Sequence, residues 1–316
     1  MKFRTELNPR PVDQPLDHNS GILLIGSCFS DHMAARLRYG GFKVLENPHG
    51  ILFNPLSIAE AVQDCLDQRT FTPEDLLFNG EKWVSLSHHG RFSGENPEAV
   101  LNRINDSIGK AHDFLLQCSH LVLTLGTSWV YRHVAQERIA ANCHKIPQKE
   151  FEKELLQVDE IISSLEGVLS GIRSIRPKVT VLLTVSPVRH LRDGILENTR
   201  SKARLHEAVH TLVEGEGVHY FPSYEIMMDD LRDYRFYEPD MIHPNRTAID
   251  YIWEKFCEAW IHPESRSLMG RVERIHRALE HRPLFPESEK HTEFSEKIQQ
   301  EIDELKKQHP EICFLG

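Results

Sequence analysis

The chain has 316 residues, of which 40% are hydrophobic and 27% are charged, and its net charge is −10. This composition is ordinary for a globular protein with one large domain, and the acidic balance argues against nucleic-acid binding because no long Lys/Arg stripe offsets it. No apolar run approaches the roughly 18 residues that span a bilayer, and the first residues lack the apolar core of a secretory signal. The six scattered cysteines favour reduced thiols. We therefore predict a cytoplasmic protein without membrane segments.

Apolar runs and helical spacing alternate along the chain. The predicted strands are at 22–25, 42–45, 121–125, 179–185 and 219–221. The predicted helices are at 31–38, 57–67, 97–117, 148–172, 198–213 and 247–260. Because strands that are apolar throughout need cover on both faces, and helices separate them in sequence, we predict an α/β fold of three layers around a parallel sheet.

Two segments depart from this alternation. Residues 69–95 scatter aromatic side chains among Thr, Pro, Asn-Gly and His-His-Gly, which predicts a hairpin-like insertion. From residue 263 the chain is rich in Arg, Glu and Lys, with a charged helix predicted at 294–308. We expect a domain at 1–262 and a C-terminal helical appendage at 263–316, which either packs on the domain or mediates homo-oligomer formation.

Three residues far apart in sequence can form a catalytic triad. Ser27 directly follows the first predicted strand, and Asp240 and His243 form a D-x-x-H motif in a loop before the last core helix. A serine hydroxyl is a weak nucleophile until a neutral imidazole accepts its proton, and the imidazole needs a carboxylate on its other nitrogen. Ser27, Gly126 and Ser186 all follow predicted strands, and ligands of open parallel sheets bind outside the carboxyl ends of the strands. The sequence thus predicts a Ser27–His243–Asp240 triad in one crevice.

Six motifs in this order resemble those of the GSCFA domain family. They are Gly26-Ser-Cys-Phe-Ser30, Asn47-Pro-His-Gly50, Leu125-Gly-Thr127, Asn142-Cys-His-Lys145, Ser186-Pro-Val-Arg189 and Asp240-Met-Ile-His243. That family resembles the SGNH/GDSL hydrolases, whose flavodoxin-like three-layer fold hosts esterases, deacetylases and lipases. The resemblance covers roughly residues 20–258 and implies that Ser27 is the nucleophile, His243 the base and Asp240 its partner.

The resemblance also implies an oxyanion hole, and here the sequence departs from the hydrolases. The expected donors are the backbone N–H groups of the nucleophile and of Gly50, since a glycine lets the backbone approach a ligand closely. The hydrolases add an Asn side chain in a Gly-x-Asn-Asp loop, where this chain has Gly126-Thr-Ser-Trp129. Either the hydroxyl of Thr127 or Ser128 replaces that donor, or Asn142 does, or the hole is impaired.

The other motifs contain the expected substrate ligands, which are Asn142, His144, His49 and Arg189. Arg189 meets either an anionic or polyhydroxyl substrate or a carboxylate of the protein, and the sequence favours neither. The histidines that we considered as metal ligands were His49, His88, His89, His144 and His190. Because their spacing matches no zinc pattern, we predict no metal site, and no cofactor is expected.

These residues predict a serine hydrolase (an esterase or deacylase) or an acyltransferase that acts on a small acyl ester. A carbohydrate or other polyhydroxyl ester is the expected substrate by analogy of fold. The departures in the oxyanion loop keep a second hypothesis open, a non-catalytic module that retains the crevice and binds its ligand without cleaving it. Neither hypothesis involves a nucleic acid or a membrane as partner.

Overall fold

The computed structural model describes residues 5–281 and 288–315, so residues 1–4 of the predicted domain and residues 282–287 and 316 of the predicted appendage lie outside it. The strands in these ranges are β1 (Gly21–Gly26), β2 (Lys43–Glu46), β3 (Leu77–Phe78), β4 (Trp83–Val84), β5 (His120–Leu125), β6 (Trp129–His133), β7 (Arg138–Ala140), β8 (Phe151–Leu155), β9 (Thr180–Val185) and β10 (Val218–Tyr220). The helices are α1 (Cys28–Tyr39), α2 (Pro55–Leu66), α3 (Pro97–Leu115), α4 (Val158–Ile175), α5 (Ile195–Leu212), α6 (Ser223–Glu225), α7 (Arg246–Trp260), α8 (Pro263–Glu280) and α9 (Glu289–Gln308). Across the described residues, no helix combines the length and apolar character that crossing a bilayer requires.

Five strands form a parallel sheet in the order β10-β9-β5-β1-β2. Counted along the chain, this order is 2-1-3-4-5, which is that of flavodoxin-like folds. β1 lies between β5 and β2, with Leu23 opposite Leu121 on one side and Leu45 on the other. The topology confirms the predicted three-layer, flavodoxin-like α/β fold.

Alternate residues of the central strands are buried against opposite helix layers. Leu23 and Ile25 join the apolar cluster that α2, α4 and α5 cover. Ile22 and Leu24 join the cluster that α1 and α7 cover. Successive side chains of a strand point to opposite faces of a sheet, so a strand that is apolar at every position is stable only with cover on both faces. The helix layers thus explain the uninterrupted apolar runs of the sequence.

The helix predicted at 148–172 is wrong in its first part. Residues Phe151–Leu155 form β8, which pairs antiparallel with β6 in a small sheet of order β7-β6-β8. The helix α4 begins only at Val158. Contacts distant in sequence hold β8, such as the ion pair of Arg132 with Glu154 at 2.8 Å. Local spacing does not reveal such contacts, and strand formation depends on them strongly.

The insertion predicted at 69–95 contains a short hairpin. Its strands β3 and β4 pair antiparallel through two residues each. In the turn, the side chain of Asn79 accepts the N–H groups of Glu81 and Lys82. Phe71, from the start of the insertion, is buried in an apolar cluster with residues of α3. The insertion is therefore attached to the domain by its aromatic residues rather than by a long ladder.

The C-terminal helices pack on the connection between α1 and β2. The N–H of Cys313 donates to the carbonyl O of Gly41 at 2.9 Å, and His276 Nδ1 donates to the carbonyl O of Tyr39 at 2.8 Å. Val272 and Ile312, from the apolar cluster between α8 and α9, lie directly over Gly41. The appendage therefore packs on the domain, which is one of the two predicted alternatives, and homo-oligomer formation stays a prediction.

Gly26 brings the end of β1 close to β5. Its φ is +149°, and a Cβ atom at this position would lie 2.3 Å from the carbonyl O of Thr124. We expect Gly26→Ala to lower the free energy of unfolding by about 1–3 kcal/mol, because the atom it meets is backbone of a central strand that cannot move aside. Urea denaturation followed by circular dichroism would measure the loss.

Gly109→Ala in α3 is the matched control, because a Cβ atom at Gly109 meets nothing within 4 Å. We expect this variant to gain about 0.5–1 kcal/mol, since glycine in a helix interior loses more conformational entropy on folding than alanine does. Equal stability of the two variants would contradict the close contact at Gly26.

Candidate active site

Ser27 lies where β1 ends and α1 begins. It is the N-cap of α1, with extended φ and ψ of −70° and 175°, and its Oγ accepts the N–H of Phe29 at 3.3 Å. Its own N–H donates to the carbonyl O of Thr124 at 3.2 Å. The residue is only 1% exposed. The serine predicted as a nucleophile therefore also caps a helix and is shielded from solvent.

The hydroxyl of Ser27 donates to the hydroxyl of Ser186 at 3.0 Å. Ser186 follows β9, and its N–H donates to the carbonyl O of Leu125, the last residue of β5, at 2.8 Å. The segments that follow β1, β5 and β9 thus meet at one point of the carboxyl edge of the sheet. This is the edge at which open parallel sheets bind their ligands.

Asp240 and His243 form a hydrogen-bonded pair in the loop before α7. The distance from His243 Nδ1 to Asp240 Oδ2 is 2.6 Å, and Asp240 Oδ1 accepts the N–H groups of Ile242 and His243 at 2.9 and 3.0 Å. The fold-back is made possible by Met241, whose φ is +59°. These bonds, led by that from the His243 backbone N–H, lower the pKa of Asp240 to about 2. The carboxylate therefore fixes the ring of His243 so that Nε2 faces away from it.

A backbone bond attaches this loop to the segment after β9. The N–H of Arg189 donates to the carbonyl O of Ile242 at 3.3 Å, three residues after Ser186. The guanidinium of Arg189 lies over the ring of Tyr237, 4.3 Å from its centroid. Its ordered contact is thus with an aromatic ring rather than with a carboxylate, and this favours neither of the two predicted partners.

The structure brings Asp240 and His243 together and attaches their loop near Ser186. Within the described residues, the Ser27 hydroxyl bonds to Ser186, and no bond joins it to His243. The side chains of His243 and Asp240 are 46% and 44% exposed, whereas Ser27 is buried. The bond between His243 and Asp240 of the predicted triad is therefore formed, whereas Ser27 bonds to Ser186 instead of His243.

The candidate oxyanion residues use their polar groups inside the fold. The N–H of Gly50 donates to Asn47 O at 2.8 Å, and those of Gly126 and Thr127 donate to Phe53 O at 2.7 and 3.0 Å. Ser128 bonds twice to Ser201: its N–H donates to Ser201 Oγ, and its hydroxyl donates to the carbonyl O of Ser201. The hydroxyl of Thr127 also bonds to Ser201 Oγ. These bonds shape the loops around the crevice, and each donor must exchange its partner before it can bind an oxyanion.

Two of the predicted substrate ligands line a cavity beside these loops. The cavity has a volume of about 350 Å³. It is lined by Phe53, Asn54, Thr127, Trp129, Tyr131, Asn142, Cys143, His144, His190 and Arg192, among others. Asn142 Oδ1 accepts the N–H of His144, and His144 Nε2 donates to the carbonyl O of Ser85. The aromatic walls and polar rim are of the kind that binds small organic ligands.

His49 lies elsewhere, in a buried network under the insertion. Its Nε2 is 2.9 Å from Asp64 Oδ2, and its ring stacks on that of His88 with 4.5 Å between centroids. Arg69 contacts the same carboxylate at 3.3 Å. The structure thus separates His49 from the cavity that Asn142 and His144 line, because its ring is buried in the core against Asp64 and His88.

Lys202 was not singled out in the sequence, yet it lies beneath the serine pair. It is 2% exposed, and its Nζ donates to the carbonyl O of Ser186 at 2.7 Å. Within the described ranges, 5–281 and 288–315, no ion pair joins Lys202 to a carboxylate. Burial lowers the pKa of Lys202 to about 7. The signal that could have revealed it is its position in α5, three residues before Leu205 and seven before Val209, where the helical pattern requires an apolar residue.

Burial also raises the pKa of the thiol of Cys28, which follows Ser27 in the chain. A raised thiol pKa disfavours the thiolate, which is the reactive form of cysteine. Cys28 is therefore a packing residue at the start of α1, and the serine is the stronger candidate for a nucleophile in this turn.

We expect the carboxyl group of Asp240 to titrate near pH 2, which NMR of its side-chain carbon would measure. In His243→Ala the pKa should rise part of the way to its ordinary value of 3.8, because the ring bond is lost while two backbone N–H bonds remain. Since the pKa in the folded state lies below the unfolded value, the stability contributed by Asp240 is present above about pH 4 and is lost as the pH falls toward 2.

His32→Ala serves as the control, because it removes a neighbouring ring that interacts with His243 but is not a hydrogen-bond partner of Asp240. The pKa of Asp240 should then stay near 2. An ordinary pKa in the unmodified protein would contradict the Asp240–His243 pair.

Comparisons with known proteins identify a family for most of the chain. The GSCFA family matches residues 21–256, and the family described as GSCFA domain protein, C-terminal domain, matches residues 272–315. A search of curated proteins finds no match.

Among solved structures, the chain is similar to three esterases at low identity. A carbohydrate esterase of family 3 from Talaromyces cellulolyticus is 10% identical, with a TM-score of 0.37, and the alignment covers 79% of this chain and 98% of that one. A family 3 carbohydrate esterase from Clostridium thermocellum is 12% identical, with a TM-score of 0.34 and coverage of 79% and 99%. An acetyl xylan esterase from the rumen bacterium Butyrivibrio proteoclasticus is 10% identical, with a TM-score of 0.37 and coverage of 77% and 66%. Likenesses this distant do not decide an activity.

The family match spans most of the chain, including the serine turn, the loops after β5 and β9, and the Asp240–His243 loop. The chain belongs to the GSCFA family.

Proposed function

We propose that the chain is a serine hydrolase or acyltransferase that cleaves or transfers a small acyl ester. The observation that carries this proposal is the 2.6 Å bond between Asp240 and His243, on a loop attached next to the Ser27–Ser186 pair. A carboxylate on one imidazole nitrogen fixes the tautomer that leaves the other nitrogen free to accept a proton. In a folded protein, such a pair near a serine at the edge of a parallel sheet fits acyl transfer better than a structural ion pair.

In the proposed reaction, Ser27 Oγ attacks the carbonyl carbon of the ester while its proton passes to Nε2 of His243. The tetrahedral intermediate collapses, the C–O bond to the alcohol breaks, and His243 returns the proton to the leaving alcohol. Water or a second alcohol then attacks the acyl-serine and gives its proton to His243; the bond from the acyl carbon to Ser27 Oγ breaks, and His243 returns the proton to Oγ. Asp240 stabilises the imidazolium that forms in each half of the cycle.

For this chemistry the hydroxyl of Ser27 must turn from Ser186 toward His243. The Asp240–His243 loop is half-exposed, and among the described residues the backbone bond of Arg189 to Ile242 attaches it to the segment after β9, so we propose that this loop moves. We propose that Ser186 holds the hydroxyl until the loop closes, and that the N-terminus of α1 supplies positive potential at the oxyanion. Gly50, Gly126, Thr127 and Ser128 contribute donors after they exchange their present partners.

The proposed substrate is an ester of a carbohydrate or another polyhydroxyl compound. The cavity that Asn142 and His144 line supports this proposal, because Trp129 and Tyr131 offer aromatic faces and the rim offers amide and imidazole groups. Sugars bind to such mixtures of flat apolar surface and hydrogen-bonding groups. In this proposal Arg189, which stacks on Tyr237 beside the loop, binds a polar group of the substrate.

One observation favours a second candidate, a ligand-binding module without chemistry. Ser27 is buried and bonded to Ser186, and the candidate oxyanion donors are all engaged. A protein that kept the crevice and lost the reaction would look the same at rest. The two candidates differ in whether Ser27 ever becomes acylated, which is directly measurable.

We expect the protein to hydrolyse short acyl esters and to be labelled at Ser27 by a fluorophosphonate during prolonged exposure. Ser27→Ala and His243→Ala should each lower kcat by about 10³–10⁶, since removing a member of a triad abolishes most of the covalent route. Mass spectrometry of the labelled peptide and hydrolysis assays with a panel of acyl esters would measure both effects.

Ser30→Ala is the matched control, since Ser30 is a buried serine of the same turn whose hydroxyl donates to Thr124 Oγ1 at 2.8 Å. It should keep both labelling and hydrolysis. If the unmodified protein is neither labelled nor active on any ester of the panel, the hydrolase proposal fails and the binding module remains.

We expect Lys202→Met to lower ester hydrolysis by about 100-fold while folding stability is unchanged or higher. The ammonium holds the carbonyl of Ser186, and a small displacement of reacting groups costs about this much in rate. Removing a buried charge without a carboxylate partner relieves its desolvation. Hydrolysis assays and thermal unfolding of the same preparation would test both halves.

Lys255→Met is the matched control, because Lys255 is also buried but pairs with Glu6 and Asn8 on the side of α7. Its loss should leave hydrolysis unchanged and lower stability, since it removes the contacts of a buried amino group with Glu6 and Asn8. Unchanged hydrolysis in Lys202→Met would show that Lys202 has only a structural role.

A further inference from the structure

The helix α5 carries the run His206-Glu-Ala-Val-His210, which fits the pattern H-E-x-x-H. The prediction that the sequence holds no zinc pattern, H-E-x-x-H included, is therefore wrong for this run, since it rested on five histidines elsewhere in the chain. On a helix, residues four apart project from the same face one turn apart, so two histidines with this spacing can bind one ion. The pattern alone is a weak signal, since it also occurs by chance.

The fold supplies a third donor to this pair. Glu225, at the end of α6, places Oε1 at 3.4 Å from Nδ1 of His206. One ring nitrogen from each of His206 and His210 and one carboxylate oxygen of Glu225 all lie within 4.8 Å of one another. Glu225 follows β10 and is 15 positions beyond His210, so the three donors meet only because β10 and α5 are neighbours in the fold.

The spacing of the donors is close to what a zinc ion requires. Ligand atoms at about 2.0–2.2 Å from zinc in a tetrahedron stand roughly 3.4 Å apart. The present trio therefore needs to contract by about 1 Å or a little more. His210 is exposed, so its side chain is free to make this adjustment, whereas His206 and Glu225 are half-buried and already close.

A neighbouring tyrosine already orients the carboxylate. The hydroxyl of Tyr220 lies 2.8 and 2.7 Å from the two oxygens of Glu225, and 3.4 Å from Nδ1 of His206. Carboxylates that bind metals are commonly held by such an outer partner, which fixes the oxygen that faces the ion. The hydroxyl can keep one oxygen of Glu225 while the other binds the ion.

We propose that His206, His210 and Glu225 bind one divalent transition-metal ion of the zinc type. Two imidazoles and one carboxylate are ligands that zinc prefers, whereas magnesium and calcium select oxygen ligands alone. A water molecule completes the tetrahedron on the exposed side of His210. Glu207 is exposed and belongs to no part of the ligand set. The ion ties α5 to α6, and the inference is independent of the proposed hydrolase.

The test uses full-length protein without a histidine tag, treated with a chelator and dialysed. Isothermal titration with zinc chloride should give one bound equivalent, and zinc should raise the temperature of thermal unfolding, because an ion that binds only the folded state stabilises it. His210→Gln and Glu225→Gln should each weaken binding by more than the roughly 10–100-fold that losing an outer partner of a metal site costs. Cobalt(II), bound in the same site, should give a visible absorption band that both variants lose.

His281→Gln is the control, since His281 is an exposed histidine at the end of α8. It should bind zinc as the unmodified protein does. The thermal unfolding of each variant is also measured without metal, so that a loss of zinc binding is distinguished from a loss of folding. Absence of a stoichiometric zinc site in the unmodified protein, or zinc affinity that is unchanged in His210→Gln and Glu225→Gln, overturns the proposal.

Discussion

The contact between the end of β1 and β5 determines where the groups of the candidate site lie. Gly26 has no side chain, so the backbone of β1 can approach Thr124, and the next residue, Ser27, donates its N–H to the carbonyl O of Thr124. The helix α1 can begin directly after the strand because Ser27 caps it. The hydroxyl of Ser27 therefore points along the carboxyl edge of the sheet toward Ser186. The close packing of β1 on β5 therefore also fixes the position of Ser27.

Contacts from two sides hold the Ser27–Ser186 pair in place. On one side, the loops after β5 and β9 bond to one another and to Phe53 and Ser201, so the crevice is built from donors that are already paired. On the other side, α5 presents Lys202 to the carbonyl of Ser186 and, one turn further, His206 to Glu225. The same helix therefore serves the candidate active site with its first half and the candidate metal site with its second.

The sequence predicted the sheet and the serine turn well because both depend on local signals. Uninterrupted apolar runs identify buried parallel strands, and Asp240 is close enough to His243 in sequence for their bond to be foreseen. The strand β8 could not be foreseen, since its pairing with β6 depends on residues about twenty positions away. The roles of Lys202 and Glu225 were also not predicted. Lys202 contacts Ser186 and Glu225 contacts His206 only in the folded chain. His49 shows the reverse case, since a histidine predicted to bind substrate instead forms a hydrogen bond with Asp64 in the core.

The shielding of Ser27 has a kinetic consequence. Ser27 is 1% exposed and its hydroxyl is bonded to Ser186, so electrophiles in solution do not reach it in this state. Under the proposed function, every turnover then begins with closure of the Asp240–His243 loop toward Ser27, and no catalytic cycle can run faster than that motion. Loop movements of this kind take microseconds to milliseconds, so gating rather than bond cleavage would set the ceiling on the rate with a reactive ester. In the part of the chain that the structure describes, the backbone bond from Arg189 to Ile242 attaches this loop to the segment after β9, so the closing motion has to carry that bond along or break it.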